Sequence, residues 1–262
     1  LATVLELARN GIDTVATVRT AAKADAVTLA ATEAGVRVRT VRLDVADPAG
    51  CREVVARIRP DILVNNAGST CFAPVFDVLE EEARHHLEVA LFGPLRLARF
   101  ALPHMRERGW GRIVQISSLA GKVTYPLLGW YQAGKHAMEA VSEALRLEVA
   151  RSGVDVVVIA PGGFRSGVTD DMSDVVERYR GSPYARAFQR MDLGFHLMKP
   201  LWSDPETIAR VITDAVTVES PRAKYVVGAD ARLTMLLNRA VEPFSALGAI
   251  REGAVRKLIG LP

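Results

Sequence analysis

Tyr131 and Lys135 stand four residues apart in a stretch patterned as a helix, which places them one turn apart on one face. A free phenol has a pKa of about 10 and is a poor acid or base at neutral pH. A neighbouring ammonium favours phenolate and lowers that value, so the pair can serve as a tuned general acid and base. Alone it says little, because a surface tyrosine beside a solvated lysine has the same spacing. Ser118 adds a second group. It lies 13 residues before Tyr131, just past the apolar run Arg112–Ile116. Open parallel sheets bind ligands outside the carboxyl ends of their strands, and a hydroxyl there can hold a substrate carbonyl toward Tyr131. Capping the turn after the strand is the plainer use of the same serine.

The elements that must position these groups follow from patterning. Helical stretches are expected at Leu1–Arg9, Ala21–Ala34, Pro48–Arg57, Glu80–Arg108, Tyr131–Arg151 and Pro205–Thr217, most of them closed by a glycine or opened by a proline. Strands are expected at Thr14–Val18, Val36–Leu43, Ile62–Val64, Arg112–Ile116, Val154–Ile159 and Lys224–Val227. Strands alternate with helices and are mostly apolar runs, so the fold class is α/β: a Rossmann-like, doubly wound parallel sheet in three α/β/α layers. No repeat or linker divides the 262 residues, and a single domain over 1–262 is expected, with a lid at about 164–202 and a helical extension at about 230–262.

Composition narrows the function classes. The 33 basic residues nearly balance 30 acidic ones and are scattered, which argues for a solvated mixed surface and against a nucleic-acid face. Two cysteines, Cys51 and Cys71, make no disulfide framework and fit a reducing compartment. No run approaches the roughly 20 apolar residues of a membrane span. A cytoplasmic protein with no integral membrane segment is expected. His85 and His86 are adjacent and point different ways on a helix, and no group has metal-ligand spacing, so no metal is expected.

Taken together, Ser118, Tyr131 and Lys135, with Asn65-Asn66-Ala67-Gly68 after the middle strand and Pro161-Gly162 after a later one, resemble the short-chain dehydrogenase/reductase family, over nearly the whole chain and in the right order. The resemblance implies an NAD(P)-dependent oxidoreductase acting on an alcohol or carbonyl. Ser118 would orient the substrate, Tyr131 would carry the proton, and Lys135 would lower the Tyr131 pKa and hold the nicotinamide ribose. Asn66, Ala67 and Gly68 would support the cofactor, Pro161 and Gly162 would lie beside the nicotinamide, and Asp44 and Val45 would meet the adenine. Within the resemblance, Arg19 follows a strand with no acid from Val15 to Lys23, which favours the 2′-phosphate of NADP over NAD. The relatives that use NADP with an arginine there are of the 17β-hydroxysteroid and retinol dehydrogenase type.

Two departures bear on activity. The chain opens on Leu1 where the family's glycine-rich turn has just ended, so the resemblance implies a first strand and pyrophosphate-binding turn upstream. That strand is central in the sheet order 3-2-1-4-5, and without it Thr14–Val18 and Ile62–Val64 would lack a partner between them. The second departure is Ala90, where the family has an asparagine that bends its helix and anchors a water in a relay behind the lysine. Alanine offers no side-chain hydrogen bond and favours regular helix.

The apolar and aromatic residues of the lid, among them Phe164, Val168, Met172, Tyr179, Phe188 and Phe195, suit an apolar ketone such as a steroid, retinoid or lipid, although packing against the core would use the same residues. Cys71, Phe72 and Phe76 are expected to line the same cleft. The apolar stripe from Leu233 to Val241 is expected to pack on the core. The partner expected is a small-molecule carbonyl or alcohol, and the family's habit implies a homodimer or homotetramer built on the two long helices. The rival reading is a nucleotide-sensing or scaffold protein that kept the fold and lost efficient catalysis. A nucleotide-sugar epimerase is disfavoured by the short carboxyl-terminal region.

Overall fold

Helices and parallel strands alternate from Ala2 to Val241 in the computed structural model, which describes residues 1–165 and 172–241. In chain order they are α1 (Ala2–Arg9), β1 (Thr14–Val18), α2 (Ala21–Glu33), β2 (Val38–Arg42), α3 (Pro48–Ile58), β3 (Ile62–Asn65), α4 (Glu80–Leu87), α5 (Gly93–Arg108), β4 (Gly111–Ile116), α6 (Gly129–Glu148), β5 (Val154–Pro161), α7 (Ser173–Arg178), α8 (Ala185–Met198), α9 (Pro205–Thr217), β6 (Lys224–Val227) and α10 (Ala229–Val241).

Local chemistry sets the ends. Asp47 accepts the Ala49 N–H at 3.0 Å ahead of Pro48, which opens α3. Gly109, with φ +65°, closes α5 in the left-handed conformation that glycine adopts without a Cβ clash. β5 carries a β-branched run, Val154 to Ile159, whose valines and isoleucine are buried on both faces, as an inner parallel strand requires.

Every strand pair is parallel. The pairing gives one run in the order β3-β4-β5-β6 and a separate pair β1-β2. No pairing joins β1 to β3 among the described residues, and the discontinuity falls where the family resemblance puts a central strand. Two apolar clusters sandwich the sheet. On one face Ile113 and Val156 pack with Val54, Leu97 and Met105 of α3 and α5. On the other, Val114 and Val157 pack with Leu7, Ile208 and Ile212 of α1 and α9. This is the three-layer α/β/α arrangement that the alternation of elements predicts.

The expected helix over Glu80–Arg108 is helical throughout but not regular. Between α4 and α5 the backbone widens into a π-type turn at Glu88–Phe92, with the Gly93 N–H donating to the Glu88 carbonyl five residues back. Alanine at position 90 therefore does not keep the helix regular, contrary to its intrinsic preference. Pro94 has no N–H to offer the Ala90 carbonyl, and Gly93 lies so close to Val45 that a Cβ there would stand 2.8 Å from the Val45 carbonyl. The Gly93-Pro94 pair sets the widened turn, and tertiary contact overrides propensity.

Much of the expected lid is helical. α7 and α8 are helices; Ala187 and Phe188 of α8 and Met172, just before α7, are buried with Leu127, and Phe72, Tyr179 and Phe195 pack on them. Phe76 is 98% exposed and lines no cleft, which corrects the expectation for it. Val168 and the extension beyond Val241 lie outside the described residues.

Candidate active site

The carboxyl edge of the sheet collects the residues singled out in the sequence. Ser118 follows β4 by two residues. Its Oγ accepts the Ala120 N–H at 3.1 Å and so caps the short turn Leu119–Gly121. Beyond that turn, Gln132 of α6 grips the Tyr125 peptide from both sides, accepting its N–H at 3.1 Å and donating to its carbonyl at 2.7 Å. The grip fixes the start of α6 against the loop and sets the height of Tyr131 and Lys135 over the strand ends.

Lys135 is 7% exposed, and its Nζ donates to the Ile116 carbonyl at 2.8 Å, at the end of β4. The same Nζ lies 5.8 Å from the centroid of the Tyr131 ring. Burial pushes Lys135 down from its ordinary 10.5 to about 8, with the Glu139 carboxylate pulling the other way. Tyr131 behaves differently from the expectation that Lys135 lowers it. Burial raises the phenol above its ordinary value, and the opposing influence is its hydrogen bond with Ser118. At neutral pH Tyr131 is therefore a phenol carrying its proton. Ser118 caps the turn after β4, and its side chain also hydrogen-bonds to Tyr131.

The loop after β3 reaches the same place. Asn65 is buried and donates from Nδ2 to the Pro94 carbonyl at 3.0 Å, tying β3 to the start of α5. Asn66, Ala67 and Gly68 then emerge exposed. A Cβ at Gly68 would stand 3.9 Å from the Lys135 Nζ, so the glycine leaves open space over the lysine. Pro161 ends β5 and is buried. The Gly162 N–H donates to the Val227 carbonyl at 2.8 Å, and the Gly163 N–H donates to an Asp230 carboxylate oxygen at 2.6 Å. A side chain at Gly162 is excluded, since a Cβ would fall 2.4 Å from the Asp230 carboxylate.

Arg19 and Asp44 stand exposed at the carboxyl ends of β1 and β2, which the Leu43 N–H to Val18 carbonyl bond holds together at 2.9 Å. Asp44 accepts the Ala46 N–H at 2.9 Å. The Val45 side chain is buried in the core and its carbonyl accepts from Arg96 at 2.8 Å, so Asp44, and not the Val45 side chain, is presented at the edge. These two residues belong to the separate β1-β2 pair, whereas Ser118, Tyr131, Lys135 and Gly68 converge at the larger sheet.

Three residues of this neighbourhood escape the sequence motifs. Glu139 is buried one turn beyond Lys135 and pairs with Lys122 and, at 3.5 Å, with Lys224. The four-residue spacing Tyr131, Lys135, Glu139 was its available signal. Asp230 comes from 67 residues beyond the glycine turn that it holds, which no local pattern could show. His86 is buried with its ring 6.2 Å from that of Tyr131.

A parallel α/β sheet with a serine, tyrosine and lysine converging at its carboxyl edge is the architecture of a nicotinamide-dependent oxidoreductase. Residues 1–176 match the short chain dehydrogenase family, and the chain belongs to it. An NADPH-dependent 3-dehydrocapnine reductase of Ornithobacterium rhinotracheale is 34% identical over 179 residues, 67% of this chain and 63% of its own. A 3-ketodihydrosphingosine reductase of Bacteroides thetaiotaomicron is 34% identical over 159 residues, 59% of each chain. The chain thus spans about three fifths of the length of these two relatives. A solved short-chain dehydrogenase from Streptomyces avermitilis superposes with a TM-score of 0.75 and 28% identity, over 97% of this chain and 93% of that one. No group of acidic, histidine or cysteine side chains suited to a metal occurs among the described residues, and no described helix is long and apolar enough to cross a membrane.

Proposed function

We propose that this protein reduces an apolar ketone to a secondary alcohol with NADPH, and runs the reverse oxidation with NADP. The observation that carries the reading is the half-buried Tyr131 phenol, hydrogen-bonded to Ser118 and with the Lys135 ammonium 5.8 Å from its ring centroid. Ser118 and Tyr131 bind the carbonyl oxygen. Tyr131 gives it a proton as the carbonyl carbon receives hydride, which the reduced nicotinamide supplies when bound. Lys135 then returns a proton to the phenolate.

The residues present fit the cofactor. Gly68 leaves room over the Lys135 ammonium for a ribose, and the Pro161-Gly162-Gly163 turn presents backbone where a side chain is excluded. Arg19 offers a guanidinium at the end of β1 for a 2′-phosphate, in a stretch without carboxylates from Val15 to Lys23. The NADPH named for the Ornithobacterium relative supports that choice. The two relatives named as reductases of a 3-dehydro and a 3-keto compound support a ketone substrate. The aromatic lid of Phe72, Tyr179, Phe188 and Phe195 supports an apolar one.

The test is NADPH oxidation followed by absorbance with 3-ketodihydrosphingosine, a steroid ketone, a retinoid aldehyde and a short aliphatic ketone. Turnover that favours the long apolar ketones supports the reading. Tight NADPH binding without turnover on any of them contradicts it and favours a nucleotide sensor.

A further inference from the structure

α8 has two opposite faces. On one, Ala187 and Phe188 are buried, and Met191 and Phe195 pack with them against Leu127. On the other, Leu193 and Leu197, with Leu201 in the turn that follows the helix, are 58%, 70% and 49% exposed. Steps of four residues put the three leucines in one stripe along the outside of the helix. Toward the amino end the same stripe continues through Arg190 and Arg186, both exposed.

The stripe lies at the rim of the candidate active site. Trp202, one residue past Leu201, rests on Gly163, where an added Cβ would collide with the indole. Asp230, at the start of α10, holds the same turn through the Gly163 N–H. The two helices therefore flank one turn, and α10 leaves Leu233 and Leu236 exposed as well. Leucines repeated along an outward stripe mark a surface that another apolar phase covers.

Charge selects the occupant. From Ser173 to Leu201 the lid carries five arginine and lysine residues against three aspartates and glutamates. Of those acids, Glu177 pairs with Arg180 and Asp192 lies against His196. A second copy of this face would bring the same positive excess against it. An anionic lipid surface offers acyl chains to the leucines and phosphates to the guanidinium groups. The same phase dissolves the apolar ketone of the proposed reaction.

We propose that the outer face of α8 docks the protein on an anionic lipid surface, with Leu193, Leu197 and Leu201 among the acyl chains and Arg186 at the phosphates. The contact is peripheral, and it sets the rim of the site against the phase that holds the substrate. The inference deepens the apolar-ketone reading and rests on it for the purpose of the contact, while the contact itself is measured without turnover.

The experiment is co-sedimentation of the protein with vesicles of phosphatidylcholine alone and of phosphatidylcholine with phosphatidylglycerol. The parent protein is compared with Arg186→Gln and with the double variant Leu193→Ser, Leu197→Ser, each checked for an unchanged urea midpoint. The parent should bind the anionic vesicles at least about tenfold more tightly than the neutral ones. The double leucine variant should lose at least about tenfold on the anionic vesicles. Arg186→Gln should lose about fivefold there, the worth of one basic residue near such a surface. Reduction of a short aliphatic ketone in solution should be equal in all three, while reduction of 3-ketodihydrosphingosine carried in anionic vesicles should fall with binding. No binding to anionic vesicles, or parent-like binding by the double leucine variant, overturns the proposal. So does a dimer of the parent in solution that the leucine substitutions split, which gives the stripe to a second copy. Vesicle binding as expected with no turnover of any ketone leaves the surface standing and overturns the reductase reading. Turnover of 3-ketodihydrosphingosine without vesicle binding does the reverse.

Discussion

The Lys135 ammonium donates to the main-chain carbonyl of Ile116 at 2.8 Å, stitching α6 to the end of β4. The bond holds the helix that carries Tyr131 against the strand that delivers Ser118. It also keeps a lysine in a place where its charge is costly, because burial draws its pKa from 10.5 to about 8. Folded, Lys135 binds its proton less tightly than unfolded. Below about pH 8 it is charged in both states and the burial cost is present in full. Between about 8 and 10.5 the unfolded chain keeps a proton that the folded one has lost, so stability rises with pH. Lys135→Met should therefore stabilise the protein at pH 7 by ~1–3 kcal/mol, the lost bond to Ile116 offsetting part of the gain. Urea unfolding at pH 7 and near pH 10 checks this. The gain should shrink at the higher pH, and a loss of stability at pH 7 would refute the assignment.

The same lysine predicts how the two directions respond to pH. On the proposed mechanism, reduction needs the Lys135 ammonium to restore the Tyr131 proton, and oxidation needs an amine to receive it. Reductive kcat should fall as pH rises through about 8, and oxidative kcat should rise over the same interval. Profiles of both directions that stay flat from pH 7 to 9 would remove Lys135 from the proton path.

On the proposed reading, Arg19 sets the cofactor preference. Exposed at the end of β1, its guanidinium is free to pair with a 2′-phosphate. Arg19→Asp should weaken NADPH by about 10- to 100-fold relative to NADH, the worth of one charge-assisted hydrogen bond plus the repulsion that replaces it. The ratio of kcat/KM for the two cofactors is the measurement, and an unmoved ratio counts against Arg19.

Asp230 holds the Gly162-Gly163 turn, beside which the proposed reading puts the nicotinamide. Its carboxylate accepts the Gly163 N–H at 2.6 Å and packs on Gly162. Asp230→Ala should raise KM for NADPH by about tenfold through loss of that charge-assisted bond, with a smaller change in kcat. Steady-state kinetics at saturating ketone separates the two parameters.

Much of this was legible in the sequence, for local reasons. Tyr131 and Lys135 share a face because the helix repeat demands it, spacing after an apolar run put Ser118 near them, and the family resemblance added Asn66 and Pro161, which also follow runs that become strands. What was not legible depends on contacts distant in sequence. The rise of the Tyr131 pKa comes from its partial burial by elements distant in sequence. The widened turn at Ala90 comes from Gly93 meeting Val45 and from Pro94 withholding a donor. Phe76 was read as cleft-lining from its type, and its exposure is decided by where the Val75–Asp77 turn points. Asp230 joins the site across 67 residues, and His86 sits beside Tyr131 through the packing of α4 on α6.

The central claim, that Tyr131 is the proton donor of a nicotinamide-dependent carbonyl reductase, is tested most directly by Tyr131→Phe. The variant removes one oxygen from a half-buried ring and should leave the fold and NADPH binding in place. Single-turnover NADPH oxidation with 3-ketodihydrosphingosine should slow by ~10²–10⁴-fold, the contribution of a positioned acid–base group. Oxidation at the parent rate, with NADPH bound equally tightly, would contradict the account.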